Sequence, residues 1–247
     1  MLWRAPLAVL SAAINTAMYD EKQLELELYN VCADRKMAKG YCKVAVVTKR
    51  NEEANPFVLR NYPADDQTIF PGATGWPERD AARATSAAPG YFVPFEDGEG
   101  NMYVDGGVGF NNPSTVALAE VRSALPGSDV SCVLSLGTGT PDYEAQSTSV
   151  VTKALNQILR TATDTSYADK LSLLLVQQSS PGSQYLRLNP VLPASKNAKL
   201  TSLDISDAET IEQLIAATRE ALLKTDIKEF ESLIEHLNFT RDEFVLL

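Results

Sequence analysis

One carboxylate in this chain stands where chemistry could use it. Asp105 follows the β-type stretch Met102-Tyr103-Val104 and runs into Gly106-Gly107-Val108-Gly109-Phe110-Asn111-Asn112-Pro113. An Asp at the end of a strand, followed by two glycines free to take positive φ, is expected at the open edge of a sheet with the backbone close to whatever it serves. There it can exchange a proton. Asp-Gly-Gly is also an ordinary turn sequence, so the residues around it must decide. The hydroxyl that such a base would assist is missing from its usual setting, because Gly-x-Ser-x-Gly occurs nowhere in the 247 residues.

Other candidates have plainer explanations. Gly137-Thr138-Gly139 could receive a phosphate, but it lacks the lysine of a P-loop and the third glycine of a dinucleotide fingerprint, so a tight strand-to-loop turn is expected. Ser135 imitates a nucleophile elbow, yet the β-branched Val133 occupies the position where an elbow needs a small residue. Ser86 has small neighbours but falls in a predicted helix, where packing is the simpler role. His236 is the single histidine; it rules out a histidine metal cluster and is expected to be an ordinary helix side chain. Cys32, Cys42 and Cys132 are odd in number and lack C-x-x-C spacing, so neither a disulfide framework nor a metal site is indicated. No cofactor is expected.

With 45% apolar and 22% charged residues, the chain has the composition of a globular protein. A net charge of −10 without a basic cluster argues against nucleic acid, since phosphate binding relies on Lys and Arg to displace counterions. Anionic membrane surfaces should also repel it on average. A lipid substrate is still allowed, because an apolar pocket binds acyl chains without positive charge. No stretch reaches the ~18 apolar residues of a membrane span. The run from Met1 to Ala13 has a faint leader-like pattern interrupted by Pro6, and a helix packed on the domain or an N-terminus exposed by truncation is the preferred reading.

The elements expected to position these residues alternate. Asp20 with Gln23 suggests a capped helix carrying Leu24, Leu28 and Val31. Cys42 to Thr48 and Phe57 to Tyr62 are predicted strands around a polar turn. Glu78 to Ala88 is a predicted helix stopped by Pro89. After the strand ending at Asp105, Asn112 and Pro113 are expected to start a helix reaching about Leu125. Asp129 to Leu136 is a further core strand. Ser149 to Arg160 and Asp169 to Gln178 are predicted helices, and Gln184 to Leu188 a short strand. Ser206-x-x-Glu209 and Asp226-x-x-Glu229 cap two amphipathic helices. This order predicts an α/β layer structure with a largely parallel sheet.

Taken together, Trp76, Arg83-Ala84-Thr85-Ser86-Ala87-Ala88-Pro89, Tyr91-Phe92, Tyr103-Val104-Asp105-Gly106-Gly107, Asn111-Asn112-Pro113 and Ser135-Leu136-Gly137-Thr138-Gly139 resemble the second half of a patatin-like phospholipase domain. The blocks run in order from about residue 19 to residue 140, roughly half of the chain. The resemblance implies a three-layer αβα fold and phospholipase A2-type cleavage of lipid acyl esters by a Ser-Asp dyad without histidine. Asp105 then corresponds to the dyad aspartate, and Gly106 and Gly107 to the motif around it.

The family's glycine-rich oxyanion loop and serine elbow precede the matched region. The chain is therefore expected to be an N-terminally truncated patatin-like domain over residues 1–190, with a helical C-terminal extension over 191–247, and inactive by itself. The alternative is a noncatalytic lipid- or protein-binding module on the same scaffold; a nucleotide-binding α/β domain is a third reading. A lipid or phospholipid substrate is expected in a cytoplasmic setting. Peripheral membrane contact and a protein partner over the shortened sheet are left open.

Overall fold

The structure is a computed structural model describing residues 17–38, 42–63, 68–141, 164–179, 182–192 and 206–223. The chain packs as two units, one holding residues up to Ser128 and the start of the helix at Ser166, the other beginning at Asp129.

In the first unit, helix α1 (Glu21–Cys32) starts at Asp20, whose Oδ1 accepts from Lys22 N at 3.0 Å. Five strands follow: β1 (Ala45–Arg50), β2 (Phe57–Arg60), β3 (Gly72–Thr74), β4 (Phe95–Glu96) and β5 (Met102–Asp105). They form one sheet in the order β3-β2-β1-β5-β4. β1 pairs antiparallel with β2 and β5, and β4 with β5, while β2 and β3 run parallel. The expectation of a largely parallel sheet is therefore corrected to a mixed sheet. Alternating apolar residues suit either strand direction, so periodicity alone could not choose.

Period-two alternation puts opposite residues of β1 and β2 into two cores. On one face Phe57, Leu59 and Tyr103 pack with Ala81 and Ala84 of helix α2 (Glu78–Thr85), joined by Val46, Trp76 and Phe95. On the other, Ala45, Val58 and Tyr62 meet Val116 of helix α4 (Ser114–Ala124), with Val47 and Phe110 at the margin. The result is the expected helix–sheet–helix layering. Alanines in α2 let that helix approach the sheet closely, and Trp76 and Phe57 fill the remaining space edge-on to Tyr103, at ring centroid distances of 5.0 and 5.7 Å.

In the second unit β6 (Cys132–Leu136) pairs in parallel with β8 (Gln184–Leu188), and β7 (Thr140–Pro141) with β9 (Val191–Leu192). Helices α5 (Ser166–Ser179) and α6 (Ala208–Leu223) accompany them. The cap of α6 is Asp207 rather than the expected Ser206, with Oδ1 accepting from Thr210 N at 2.9 Å. The predicted helices at 149–160 and from Asp226, and His236 within the latter, lie outside the described residues. No helix among the described residues is long and apolar enough to cross a membrane.

Candidate active site

Asp105 ends β5 opposite Thr48 of β1, and its backbone is fixed from two directions. Its N–H donates to Ala87 O at 3.0 Å, just past the end of α2. Thr48, fully buried, donates from Oγ1 to Val104 O at 2.7 Å, and Thr85 Oγ1 donates to Val47 O at 2.7 Å. The sequence block Arg83 to Pro89 thus clamps the block that carries Asp105.

The glycines after Asp105 serve differently from expectation. Gly106 has φ −62°, a helical value any residue can adopt. What it lacks is room: a Cβ there would stand 2.3 Å from Val47 O. At Gly107 a Cβ would lie 3.0 Å from Asp105 Oδ1, the atom that accepts from Gly107 N at 2.6 Å. Positive φ occurs instead at Gly109, at +103°, inside the short helical turn α3 (Gly107–Phe110). Close approach to backbone requires glycine at 106, a Cβ at 107 would press on the Asp105 carboxyl, and backbone conformation favours glycine at 109.

A crevice of about 260 Å³ opens at this point. Asp105, Gly106 and Gly107 line it, with Val47, Phe110 and Glu120 among the surrounding residues. The Asp105 carboxyl is partly buried, and burial raises its pKa above the ordinary value, offset in part by the Gly107 N–H. Its Oδ2 accepts no hydrogen bond among the described residues, so one oxygen is held and the other is available. Such a group is a stronger base than a solvated aspartate. Thr85 carries the one hydroxyl among the lining residues, and it is committed to Val47 O.

Glu120 was not anticipated. It is 3% exposed on α4 and pairs with Arg60, which is 1% exposed, through contacts of 2.5 Å from Nε and 2.8 Å from Nη2. Tyr62 Oη adds a third hydrogen bond to Glu120 at 2.8 Å, and burial together with that carboxylate holds the phenol well above its usual pKa. The available signal was a carboxylate set among Val116, Ala117 and Leu118 on an apolar helix face.

The sequence candidates set aside have structural places. Ser135 lies inside β6, 5% exposed, and accepts from Arg187 Nη1 at 2.6 Å. Ser86 is the residue that terminates α2. In the Gly137–Gly139 turn, Gly139 has φ +95° and its N–H donates to Asn189 Oδ1 at 2.8 Å. Among the described residues no group of three or more His, Cys, Asp or Glu side chains could hold a metal ion.

The sequence model of the patatin-like phospholipase family matches residues 11–118, so this part of the chain is a patatin-like phospholipase domain. The chain is 32% identical over 189 residues to calcium-independent phospholipase A2-gamma of Oryctolagus cuniculus, covering 72% of this chain and 23% of that protein. Its human counterpart is 31% identical over 181 residues, covering 69% of this chain and 22% of that protein. Patatin-like protein 2 of Arabidopsis thaliana is 30% identical over 151 residues, covering 51% of this chain and 35% of that protein. The chain spans about a quarter of the length of the phospholipase A2-gamma proteins it matches.

Proposed function

We propose that this chain carries the general-base half of a lipid acyl hydrolase, with Asp105 as the aspartate of a Ser-Asp dyad acting on phospholipid acyl esters. The observation that carries the reading is the Asp105 carboxyl: partly buried, raised in pKa, anchored by Gly107 N–H through one oxygen, on a residue that lines a largely apolar crevice. A serine hydroxyl is a weak nucleophile until a hydrogen-bonded base accepts its proton, and a desolvated carboxylate is suited to that step without histidine. The family and the names of the related phospholipases support an acyl-ester substrate. A cytoplasmic setting with peripheral access to lipid belongs to the same proposal.

These 247 residues contain no Gly-x-Ser-x-Gly, and the crevice offers no uncommitted hydroxyl among its described lining residues. Acyl transfer needs both an attacking atom and donors for the oxyanion, each worth orders of magnitude in rate. The chain alone is therefore expected to leave short-chain esters and phospholipid vesicles uncleaved. Joined to a family segment bearing Gly-x-Ser-x-Gly, it should hydrolyse them, and Asp105→Asn should abolish that gain. Hydrolysis by the isolated chain that disappears in Asp105→Ala would refute the missing-nucleophile part. The noncatalytic reading rests on the same absence and gains ground if joining produces a folded protein without turnover.

A further inference from the structure

The ladder between β1 and β5 stops one rung short, and a side chain stands where the next rung belongs. Thr48 pairs with Asp105, Lys49 with Val104 and Arg50 with Tyr103, so the same register carried one residue further sets Val47 opposite Gly106. In an antiparallel pair the hydrogen-bonded rungs alternate. Asn51 N donates to Met102 O at 2.6 Å, which makes Asn51, Lys49 and Val47 the residues whose backbone groups point toward β5. On the opposite side of β1, Asn61 N donates to Val44 O at 3.1 Å, so the even-numbered residues serve β2. Val47 O is therefore aimed at Gly106, and the 2.3 Å that would separate it from a Cβ there agrees.

A different donor takes that carbonyl. Val47 O accepts from Thr85 Oγ1 at 2.7 Å, and the strand pairing ends at Asp105. Gly106 leaves the strand at φ −62° and ψ −24°, and its carbonyl accepts from Phe110 N at 3.0 Å. The next amide, Gly107 N, turns to Asp105 Oδ1 at 2.6 Å. The chain thus departs from the sheet and anchors the carboxylate within the same three residues. Thr85 is itself well fixed for this, as the last residue of α2, with Ala87 O just beyond it accepting from Asp105 N at 3.0 Å.

We propose that Thr85 is a positioning residue for Asp105: its hydroxyl occupies the Val47 carbonyl, ends the ladder at Asp105 and sends Gly106 and Gly107 into the turn that holds the carboxylate. Its part in turnover rests on the reading of Asp105 as the base, whereas its part in placing the carboxylate does not. Without the donor, Val47 O is left to draw Gly106 N–H into the next rung. β5 then lengthens by one residue, Gly107 N is pulled away from Asp105 Oδ1, and the carboxylate loses its anchor. A reacting group misplaced by about 1 Å costs roughly a hundredfold in rate.

Amide NMR of the 247-residue chain tests it. In the unsubstituted protein the Gly107 amide proton should shift as Asp105 ionises, because a charge-assisted hydrogen bond joins them. Thr85→Val keeps the shape of the side chain and removes the donor. In that variant the pH-dependent shift of Gly107 should largely vanish, and the Gly106 amide should exchange with solvent roughly tenfold more slowly as it enters the ladder. Thr85→Ser, which keeps the hydroxyl, should restore both signals. In the protein joined to a family segment bearing Gly-x-Ser-x-Gly, Thr85→Val should lower kcat roughly tenfold to a hundredfold with KM within about twofold. If the joined protein with Thr85 intact shows no turnover, the dyad reading fails, and the two amide signals still decide where the carboxylate is held. Gly106 and Gly107 amides unchanged in Thr85→Val, whatever its melting temperature, would show that water takes over the Val47 carbonyl and would overturn the proposal. Thr85→Ser behaving like Thr85→Val would overturn it as well.

Discussion

Replacing Glu120 by Ala should nearly unfold the first unit. In the native protein the Arg60 guanidinium is 1% exposed and has two contacts to Glu120, with Val58 O and Phe70 O as its other acceptors at 3.2 and 2.9 Å. Removing the carboxylate leaves a full positive charge buried against two neutral carbonyls. Breaking a buried pair this way costs about 3–5 kcal/mol, because the remaining ion keeps its desolvation penalty without the Coulombic return. Tyr62 Oη loses its acceptor in the same step, adding about 1 kcal/mol. Against a total stability of about 5–15 kcal/mol, that decides whether the unit stays folded. Urea unfolding followed by circular dichroism should show a midpoint collapse for Glu120→Ala and a loss of about 1.5–3 kcal/mol for Tyr62→Phe, whose partner is charged. The double variant Arg60→Met/Glu120→Leu should recover most of the deficit, since an apolar pair of similar volume has no charge to desolvate. A loss below about 1 kcal/mol for Glu120→Ala, or a double variant as unstable as the single, would refute the claim that a buried, mutually dependent pair holds α4 against β2.

Gly106→Ala should cost about 1–3 kcal/mol by forcing a Cβ against the Val47 carbonyl, whereas Gly109→Ala, with open space but φ +103°, should cost about 1–2 kcal/mol through backbone strain alone; equal sensitivity of both sites to a further Ala→Val enlargement would contradict that division. Asp105→Asn should be more stable than the unsubstituted chain at neutral pH. Burial raises the folded-state pKa of Asp105 above its unfolded value, so its stabilising contribution is complete below the unfolded value near pH 4 and is lost as pH rises through the folded one. The gap between the two proteins should therefore close as pH falls below about 4, and a gap independent of pH in urea titrations would show that the carboxyl is not desolvated.

How much of this was legible in the sequence follows from how local each determinant is. Gln184 to Leu188 is legible with its observed bounds, and so is the Asp20 start of α1, because caps act within a few residues; the helix expected to run from Glu78 to a stop at Pro89 ends earlier, at Thr85 with Ser86 as its cap. β1 was placed at 42–48 but runs from Ala45 to Arg50. Lys49 and Arg50 look like turn residues, yet they pair with Val104 and Tyr103, and Arg50 is accommodated by Glu53 and by the face of Phe57, 4.3 Å from the ring centroid. β3 and β4, of three and two residues, were missed because their pairing partners define them and their composition does not. The site divides in the same way. Asp105 announced itself through its neighbours, but the crevice wall depends on Glu120, whose burial makes sense only beside Arg60, sixty residues earlier in the chain. In the alternating run Phe57 to Tyr62, Arg60 shares its parity with buried Val58 and Tyr62, so the strand pattern had already placed it inward. What the sequence lacked was the counter-charge that makes an inward arginine tolerable, and a long-range ion pair leaves no periodic trace.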